Sequence, residues 1–355
     1  LITISNLSKE FQLSDRTVRA LDNVTLEIEA GEFFVLLGPS GSGKTTLVRC
    51  VAGLEHATSG EMSLGKTLVY SGARKVLVPP EQRNIGMVFQ SYAVWPHLTV
   101  YQNIALPLSK GRCRLPADQV RERVARVLDA VELTGLESRP IPMLSGGQQQ
   151  RVSLARALAV EPDALLMDEP LSNLDARLRE KVRDQIRQLA KRFGITVLYV
   201  THDQTEAMAL ADRIAVMEQG QVKQVGVPRQ LYSHPVTPGI AEFFGEVNWL
   251  SGKRRGDGLI ETPVGPLQAS ADQVPGDNIR LGIRPENIIL SDMPIDGANV
   301  FTGQVVSITF LGERQSVSID IQGVPIVLNA NGARDIASGA VWVRLPPEAI
   351  MAFTP

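Results

Sequence analysis

Along the first 240 residues, short apolar runs alternate with stretches of helical period. Phe33–Leu37, Ala164-Leu165-Leu166-Met167 and Thr196-Val197-Leu198-Tyr199-Val200 are apolar at nearly every position, the pattern of strands buried on both faces. Between them, Val120, Val124, Val127, Leu128 and Val131 share one helical face, while Arg121, Glu122, Arg123 and Arg126 fill much of the rest. Leu178, Val182, Ile186 and Leu189 repeat the spacing, and Gly194 supplies a stop soon after. Strands alternating with helices predict an α/β domain with a mainly parallel sheet. Beyond about residue 245 the pattern changes. Runs 304–310 and 316–321 are short, β-branched and bounded by Gly, Asp or Pro, which predicts a small all-β barrel or sandwich. Pro228, Pro235 and Pro238 mark an expected hinge, so the chain divides into 1–240 and 241–355.

Composition narrows the class without choosing a task. The chain has 355 residues, 44% hydrophobic and 21% charged, enough for two globular domains with cores of their own. A net charge of -2 offers no global basic field, so nucleic acid is not an expected partner. No apolar run reaches the ~18 residues of a membrane-spanning helix. Leu1-Ile2-Thr3-Ile4 lacks the basic and apolar regions of a secretion signal; it also lacks Met, which reads as a trimmed chain. Cys50 and Cys113 stand apart and outside any CxxC pattern, which suits a reducing cytosol.

The strongest chemical signal is Gly38-Pro39-Ser40-Gly41-Ser42-Gly43-Lys44-Thr45, a complete GxxxxGK[ST] pattern between a predicted strand and a helical run at 46–51. Glycines let successive N–H groups converge on phosphate oxygens, and the following helix directs its positive end at the same point. Ser40, Gly41, Ser42, Gly43, Lys44, Thr45 and Thr46 are thus candidates for holding a nucleotide triphosphate, with Thr45 a ligand for Mg²⁺. The apolar run 164–167 ends in Asp168 and Glu169. Asp168 is placed to hold the metal, and Glu169, one residue on, to polarise an attacking water.

A P-loop is shared by kinases, GTPases, helicases and transport ATPases. The run Leu144-Ser145-Gly146-Gly147-Gln148-Gln149-Gln150-Arg151 chooses among them, because here the chain resembles the ATP-binding-cassette (ABC) ATPases and their LSGGQ signature. That resemblance implies an α/β P-loop NTPase fold with a helical subdomain at about 91–160. It also implies ATP and Mg²⁺ as cofactors and a second copy of the chain whose Ser145, Gly146, Gly147 and Gln148 close over the nucleotide. It assigns Gln90 to the metal and water shell, Asp168 to the metal, Glu169 to the general base and His202 to the γ-phosphate. Phe11 sits where the family stacks an aromatic ring on adenine. Such stacking carries about 1–3 kcal/mol in nucleic-acid examples and reads no base edge, so selection of ATP over GTP should be weak. Ser172-Asn173-Leu174-Asp175 matches the D-loop, with Asn173 in place of the common Ala; the Asn can hydrogen-bond across a dimer interface. Trp95-Pro96-His97 follow Gln90 where importers grip a membrane subunit; Trp95 reads equally as that anchor or as core.

Gly282-Ile283-Arg284-Pro285-Glu286-Asn287 and the β-rich tail resemble the oligomer-binding-like regulatory domain of a subset of bacterial importer ATPases. The junction Phe243-Phe244-Gly245-Glu246-Val247-Asn248-Trp249 is closer to non-sugar members, and the whole looks most like a ferric-iron importer ATPase. Sulfate, polyamine and sugar import are the alternatives in the same role. The resemblance also implies transmembrane permease subunits as partners, a periplasmic solute-binding protein indirectly, and a place on the cytoplasmic face of the inner membrane. Cys50, Cys113 and the four histidines form no metal-ligand spacing, so no iron site is expected in this chain. A DNA-repair or translation-associated ABC ATPase is the different-class alternative. The former would insert a long coiled coil between Lys44 and Ser145, and the latter would carry two cassettes.

Overall fold

The structure, a computed structural model, describes residues 1–110, 114–271, 274–336 and 339–355; Cys113 lies outside them. The chain forms two compact units, Leu1–Arg229 and Gln230–Pro355. In the first unit the elements run β1 (Ile2–Gln12), β2 (Thr17–Ile28), β3 (Phe33–Leu37), α1 (Lys44–Ala52), β4 (Ser59–Leu64), β5 (Thr67–Ser71), β6 (Val76–Leu77) and β7 (Ile85–Val88). Three helices follow, α2 (Val100–Lys110), α3 (Ala117–Ala130) and α4 (Gly146–Ala159), and pack on one another. Then come β8 (Ala164–Asp168), α5 (Ala176–Phe193), β9 (Thr196–Thr201), α6 (Gln204–Leu210), β10 (Arg213–Glu218) and β11 (Gln221–Gly226).

Two sheets result. One is antiparallel, in the order β2-β1-β4-β5-β6; the other runs β11-β10-β3-β9-β8-β7 and is parallel from β10 to β7. Every residue of β3, β8 and β9 is buried, which explains their unbroken apolar runs. Alternate residues Phe34, Leu36, Leu166, Leu198 and Val200 join Leu47, Val48 and Val51 of α1 and Ile2, Ile4 and Leu7 of β1 in one core. Helix α1 is thereby held between the two sheets. On the opposite face Val88 and Met167 meet Leu154 of α4 and Val182 and Ile186 of α5.

Helix ends follow local chemistry. Asp175 caps α5 by accepting from Leu178 N at 3.0 Å, and Gly194 ends it in the left-handed conformation that the sequence anticipates. Helix α1 ends differently. Its last carbonyls, Cys50 O and Val51 O, each accept from Arg83 Nη1 at 2.7 Å, and Arg83 Nε reaches Val78 O at 3.0 Å. A cation at the carbonyl end of a helix complements its dipole. Gly53 makes room for it, since a Cβ there would lie 2.8 Å from the guanidinium carbon. Burial is what lowers the Arg83 pKa.

The second unit carries two short helices and two antiparallel sheets. The helices are α7 (Pro228–Ser233) and α8 (Pro238–Phe243), the latter capped by Thr237 with Pro238 in its first turn. The strands are β12 (Asn248–Arg254), β13 (Ile260–Thr262), β14 (Gly265–Leu267), β15 (Asn278–Ile283), β16 (Ile289–Ser291), β17 (Val300–Phe310), β18 (Arg314–Ile321), β19 (Val324–Asn331), β20 (Ala340–Arg344) and β21 (Met351–Phe353). Their orders are β14-β13-β12-β15-β21 and β16-β20-β17-β18-β19. Ile279, Leu281, Ile283, Val317, Ile319, Ile326 and Val343 contribute to one core shared by both.

The division expected at 240/241 differs from the packing. Arg284, fully buried, lies 3.8 Å over the Tyr232 ring and donates to Tyr232 O and Ala241 O, while Arg280 pairs with Glu242 at 3.0 Å. Those bonds carry 230–243 with the β-rich unit. The proline-marked segment is therefore helical and anchored by the GIRPE run. Among the described residues no helix is long and apolar enough to cross a membrane.

Replacing Arg83 by Met should leave the carbonyls of Cys50, Val51 and Val78 without their shared donor. We expect a loss of about 2–4 kcal/mol in the urea unfolding of the full chain, because buried acceptors pay their full desolvation cost. An unchanged midpoint would show that the cap at the end of α1 carries no stability.

Candidate active site

The parallel ladder brings the predicted residues to one edge. Leu37 of β3 lies opposite Thr201 of β9, Asp168 of β8 opposite Val200, and Val88 of β7 opposite Met167. The chain leaving those strand ends carries the 38–45 loop, His202, Glu169 and Gln90. Open α/β sheets place their ligand crevice at this end of the strands.

The loop is shaped by its neighbours as much as by its own glycines. A Cβ at Gly38 would lie 2.1 Å from Met217 O, and one at Gly43 2.4 Å from Ala20 O, where φ is also +98°. Neither position admits a side chain, so the loop can close down and present its N–H groups. Lys44 opens α1 and is buried. Its ammonium donates to Gly38 O at 2.8 Å, Pro39 O at 2.9 Å and Ser42 Oγ at 3.3 Å. Burial lowers its pKa, against the opposing pull of Glu169 and Asp168.

Thr45 Oγ1 donates to Asp168 Oδ1 at 2.9 Å, joining the two predicted metal ligands across α1 and β8. Burial raises the Asp168 pKa, and the hydrogen bond from Thr45 only partly offsets it. Hydroxyl and carboxylate are hard oxygen donors beside a phosphate-shaped loop, a set that fits Mg²⁺ held jointly with phosphates. Glu169 follows in the left-handed conformation, φ 46°, uncommon outside glycine and worth about 1–3 kcal/mol of strain. Its N–H donates to Val200 O at 3.1 Å, and its carbonyl accepts from Ser172 N at 3.3 Å and Ser172 Oγ at 3.0 Å. The turn directs the carboxylate to His202, whose Nδ1 lies 3.2 Å from Glu169 Oε1.

Other predicted residues lie on neighbouring elements. Gln90 is exposed, and its carbonyl accepts from Asn173 Nδ2 at 3.0 Å, so the Asn of the D-loop has an intrachain partner. Beyond Gln90, Tyr92 and Ala93 both take positive φ, and their carbonyls accept from Ser153 Oγ and Arg156 Nη1 of α4, each at 2.7 Å. Trp95 is 37% exposed, with the Arg156 guanidinium 4.7 Å from its ring centre and its backbone N–H donating to Asn103 Oδ1 at 2.9 Å. It is a half-covered surface ring rather than core. Phe11, on β1, has the Lys9 ammonium 4.5 Å from its ring centre, and Lys9 in turn pairs with Glu55 at 2.8 Å.

Ser145 and Gln148 form a complete capping box at the start of α4: Gln148 N donates to Ser145 Oγ at 3.3 Å, and Ser145 N to Gln148 Oε1 at 3.0 Å. The S-x-x-Q spacing carries that signal in the sequence, although the sequence reading of the signature did not use it. Gly146 is exposed, whereas Gly147 is buried and a Cβ there would lie 3.0 Å from Leu178 Cδ2 of α5. Two further residues escaped the sequence reading. Glu206 is buried and accepts from Tyr199 Oη at 2.8 Å and Thr201 Oγ1 at 2.9 Å; burial raises its pKa. Arg179 of α5 approaches it, with Nε 3.8 Å from Glu206 Oε1. Neither belongs to a local motif.

With this geometry in place, known proteins give a consistent comparison. A family model described as ABC transporter matches residues 21–172, and one described as TOBE domain matches 281–353. A spermidine/putrescine import ATP-binding protein of Thermobifida fusca is 41% identical over 98% of this chain and 92% of its own length. An Fe(3+) ions import ATP-binding protein of Vibrio cholerae is 41% identical over 94% of this chain and 91% of its own. A sulfate/thiosulfate import ATP-binding protein of Chromobacterium violaceum is 44% identical over 88% and 83%. Among solved structures, a dimeric post-hydrolysis ATP-binding cassette bound to ADP and Pi matches with a TM-score of 0.56 at 33% identity. It covers 64% of this chain and 99% of its own.

The raised Asp168 pKa makes a stability prediction with a definite sign. Between the ordinary carboxylate range and the raised value, the folded chain holds a proton that the unfolded chain releases, so stability falls as pH rises through that window. Above it, the ionised carboxylate weighs against folding. Asp168→Asn should therefore raise the urea midpoint of the nucleotide-free chain at neutral pH, and the gain should vanish in acid below the ordinary carboxylate range. A midpoint lowered at neutral pH would refute this.

Proposed function

The chain belongs to the ABC transporter family and is the ATPase subunit of an importer, and from that premise we propose how its residues divide the work of hydrolysis. Family members bind ATP with Mg²⁺. When bound, Mg²⁺ neutralises charge on the phosphates and acts as the Lewis acid for their transfer. The loop 38–46 cradles the phosphates, and Lys44 exchanges its bonds to Gly38 O and Pro39 O for phosphate oxygens. Thr45 and Asp168 would hold the metal, with Gln90 as a further oxygen donor. Glu169 takes the proton of the attacking water. His202 steadies that carboxylate and contacts the γ-phosphate. The observation that carries the reading is the 3.2 Å approach of His202 Nδ1 to Glu169 Oε1, at the strand ends that also carry the phosphate loop. Phe11 would supply the ring that stacks on adenine. Ser40, Gly41, Ser42, Gly43 and Thr46 supply backbone and hydroxyl donors.

Ser145, Gly146, Gly147 and Gln148 of a second copy close the site. Supporting this, a solved cassette 33% identical to the chain is dimeric with ADP and Pi. The capping box holds the signature ready at the start of α4, where Gly146 is bare. Transmembrane permease subunits dock near Trp95, and the chain works at the cytoplasmic face of a bacterial inner membrane, with a periplasmic solute-binding protein delivering cargo. For cargo we propose ferric iron. The Phe243-to-Trp249 junction and the iron-import relative support it. Relatives named for spermidine/putrescine and sulfate/thiosulfate define the competing outcomes.

Glu169→Gln should cut ATP turnover by about 10²–10⁴-fold, the range of a general base, while nucleotide titration shows binding kept and closed dimers accumulating. Near-normal hydrolysis would remove Glu169 from the role. Lys44→Ala should weaken ATP binding itself. For cargo, cells lacking the chain are loaded with labelled ferric iron, spermidine, sulfate or maltose; loss of iron uptake alone supports the proposal, and loss of another solute instead replaces it.

A further inference from the structure

Arg179 stands in the first turn of α5, four residues after the capping Asp175. An arginine at a helix surface ordinarily pairs with an acid on its own helix or with water. This one reaches off the helix in two directions. Nη2 donates to Leu174 O of the D-loop at 3.2 Å, and Nη1 donates to Asp203 Oδ2 at 3.2 Å. Nε is buried without a hydrogen-bond partner, 3.8 Å from Glu206 Oε1.

Both neighbours of His202 belong to this set. Asp203 Oδ1 caps α6 through Thr205 N at 2.8 Å and Glu206 N at 3.1 Å, and Asp203 N donates to Thr201 Oγ1 at 2.9 Å. Thr201 Oγ1 is itself a donor to Glu206. The chain on each side of His202 is therefore tied to one carboxylate cluster, and Arg179 faces that cluster from α5. The residue before Leu174, Asn173, donates to Gln90 O. The D-loop is thus bonded to the Gln90 loop through Asn173 and, by way of Arg179, toward the His202 loop through Leu174, within one chain.

We propose that Arg179 is a positioning residue for hydrolysis: its guanidinium fork holds the D-loop carbonyl of Leu174 and the Asp203 carboxylate in one register, and so sets the His202 imidazole against Glu169. It touches neither nucleotide nor water in this role. The role requires a planar fork with two donors in fixed directions, which an ammonium cannot reproduce. The inference rests on the assignment of Glu169 and His202 given above.

The test uses the full chain with Arg179→Lys and Arg179→Met. Loss of one or both charge-assisted bonds should lower kcat by about 10- to 100-fold, with Lys retaining more than Met, while ATP affinity stays as in the parent because the phosphate loop is untouched. The chain has only four histidines, so histidine-labelled NMR resolves them. The His202 imidazole resonances should shift in both variants, and those of His56, His97 and His234 should not. Should Met fail to fold, the Lys variant carries both readouts. A lowered unfolding midpoint with unchanged kcat and an unmoved His202 resonance would overturn the proposal and leave Arg179 a structural residue. Failure of the underlying assignment shows separately, as full hydrolysis by Glu169→Gln or His202→Ala in an Arg179 background.

Discussion

The parallel register of β3, β9, β8 and β7 is the constraint on which the site depends. Main-chain bonds set Leu37 beside Thr201, Thr201's neighbour Val200 beside Asp168, and Met167 beside Val88. Four loops from distant parts of the chain then leave the sheet together. No side chain at the site could meet another if one strand slipped, because a shift of one residue turns every side chain to the opposite face. The buried, mostly apolar strands β3, β8 and β9 hold that register by packing against α1 on one face and α4 and α5 on the other.

Around this frame the chain keeps groups in unfavourable settings. Lys44 is buried against carbonyls, Asp168 is buried so that its pKa is raised, and Glu169 sits at positive φ. Each is stabilised by neighbours that belong to the scaffold. The loop's own oxygens receive the ammonium, Thr45 bonds the carboxylate, and Val200 O with Ser172 fixes the strained turn. A nucleotide with its metal would compete for the Lys44 ammonium and the Thr45–Asp168 pair, while the main-chain bonds of the Glu169 turn stay in place.

Helix α4 joins two functions along one rigid rod. Its first turn is the signature, held by the Ser145–Gln148 box and seated on Leu178 through Gly147. Two turns further, Ser153 and Arg156 hold the carbonyls of Tyr92 and Ala93, in the loop that follows Gln90. A movement at the Trp95 surface thus has a path of hydrogen bonds and helix to the residues that a second copy would present, and the positive φ of Tyr92 and Ala93 makes that loop a shape sustained by its contacts.

What could be read without coordinates is what lies in one continuous stretch. The GxxxxGK run, the Asp168-Glu169 strand end and the signature are local, because a phosphate cradle, a strand end and a helix start are each built from a few successive residues. Residues that work through distant partners carry no such mark. Arg179 resembles any helix arginine until α6 is folded beside it, Asn173 could face a second copy as readily as Gln90 O, and Arg83 gives no sign that it ends α1. The segment 230–243 looks like a proline-rich hinge until Arg284 is seen on Tyr232. The sequence by itself determined the family, the nucleotide chemistry and the buried strands, since these follow from residue type at short spacing. Only the tertiary structure decided which groups share a hydrogen bond across 24 residues or more, because strand register and helix packing, not neighbouring residues, set those distances.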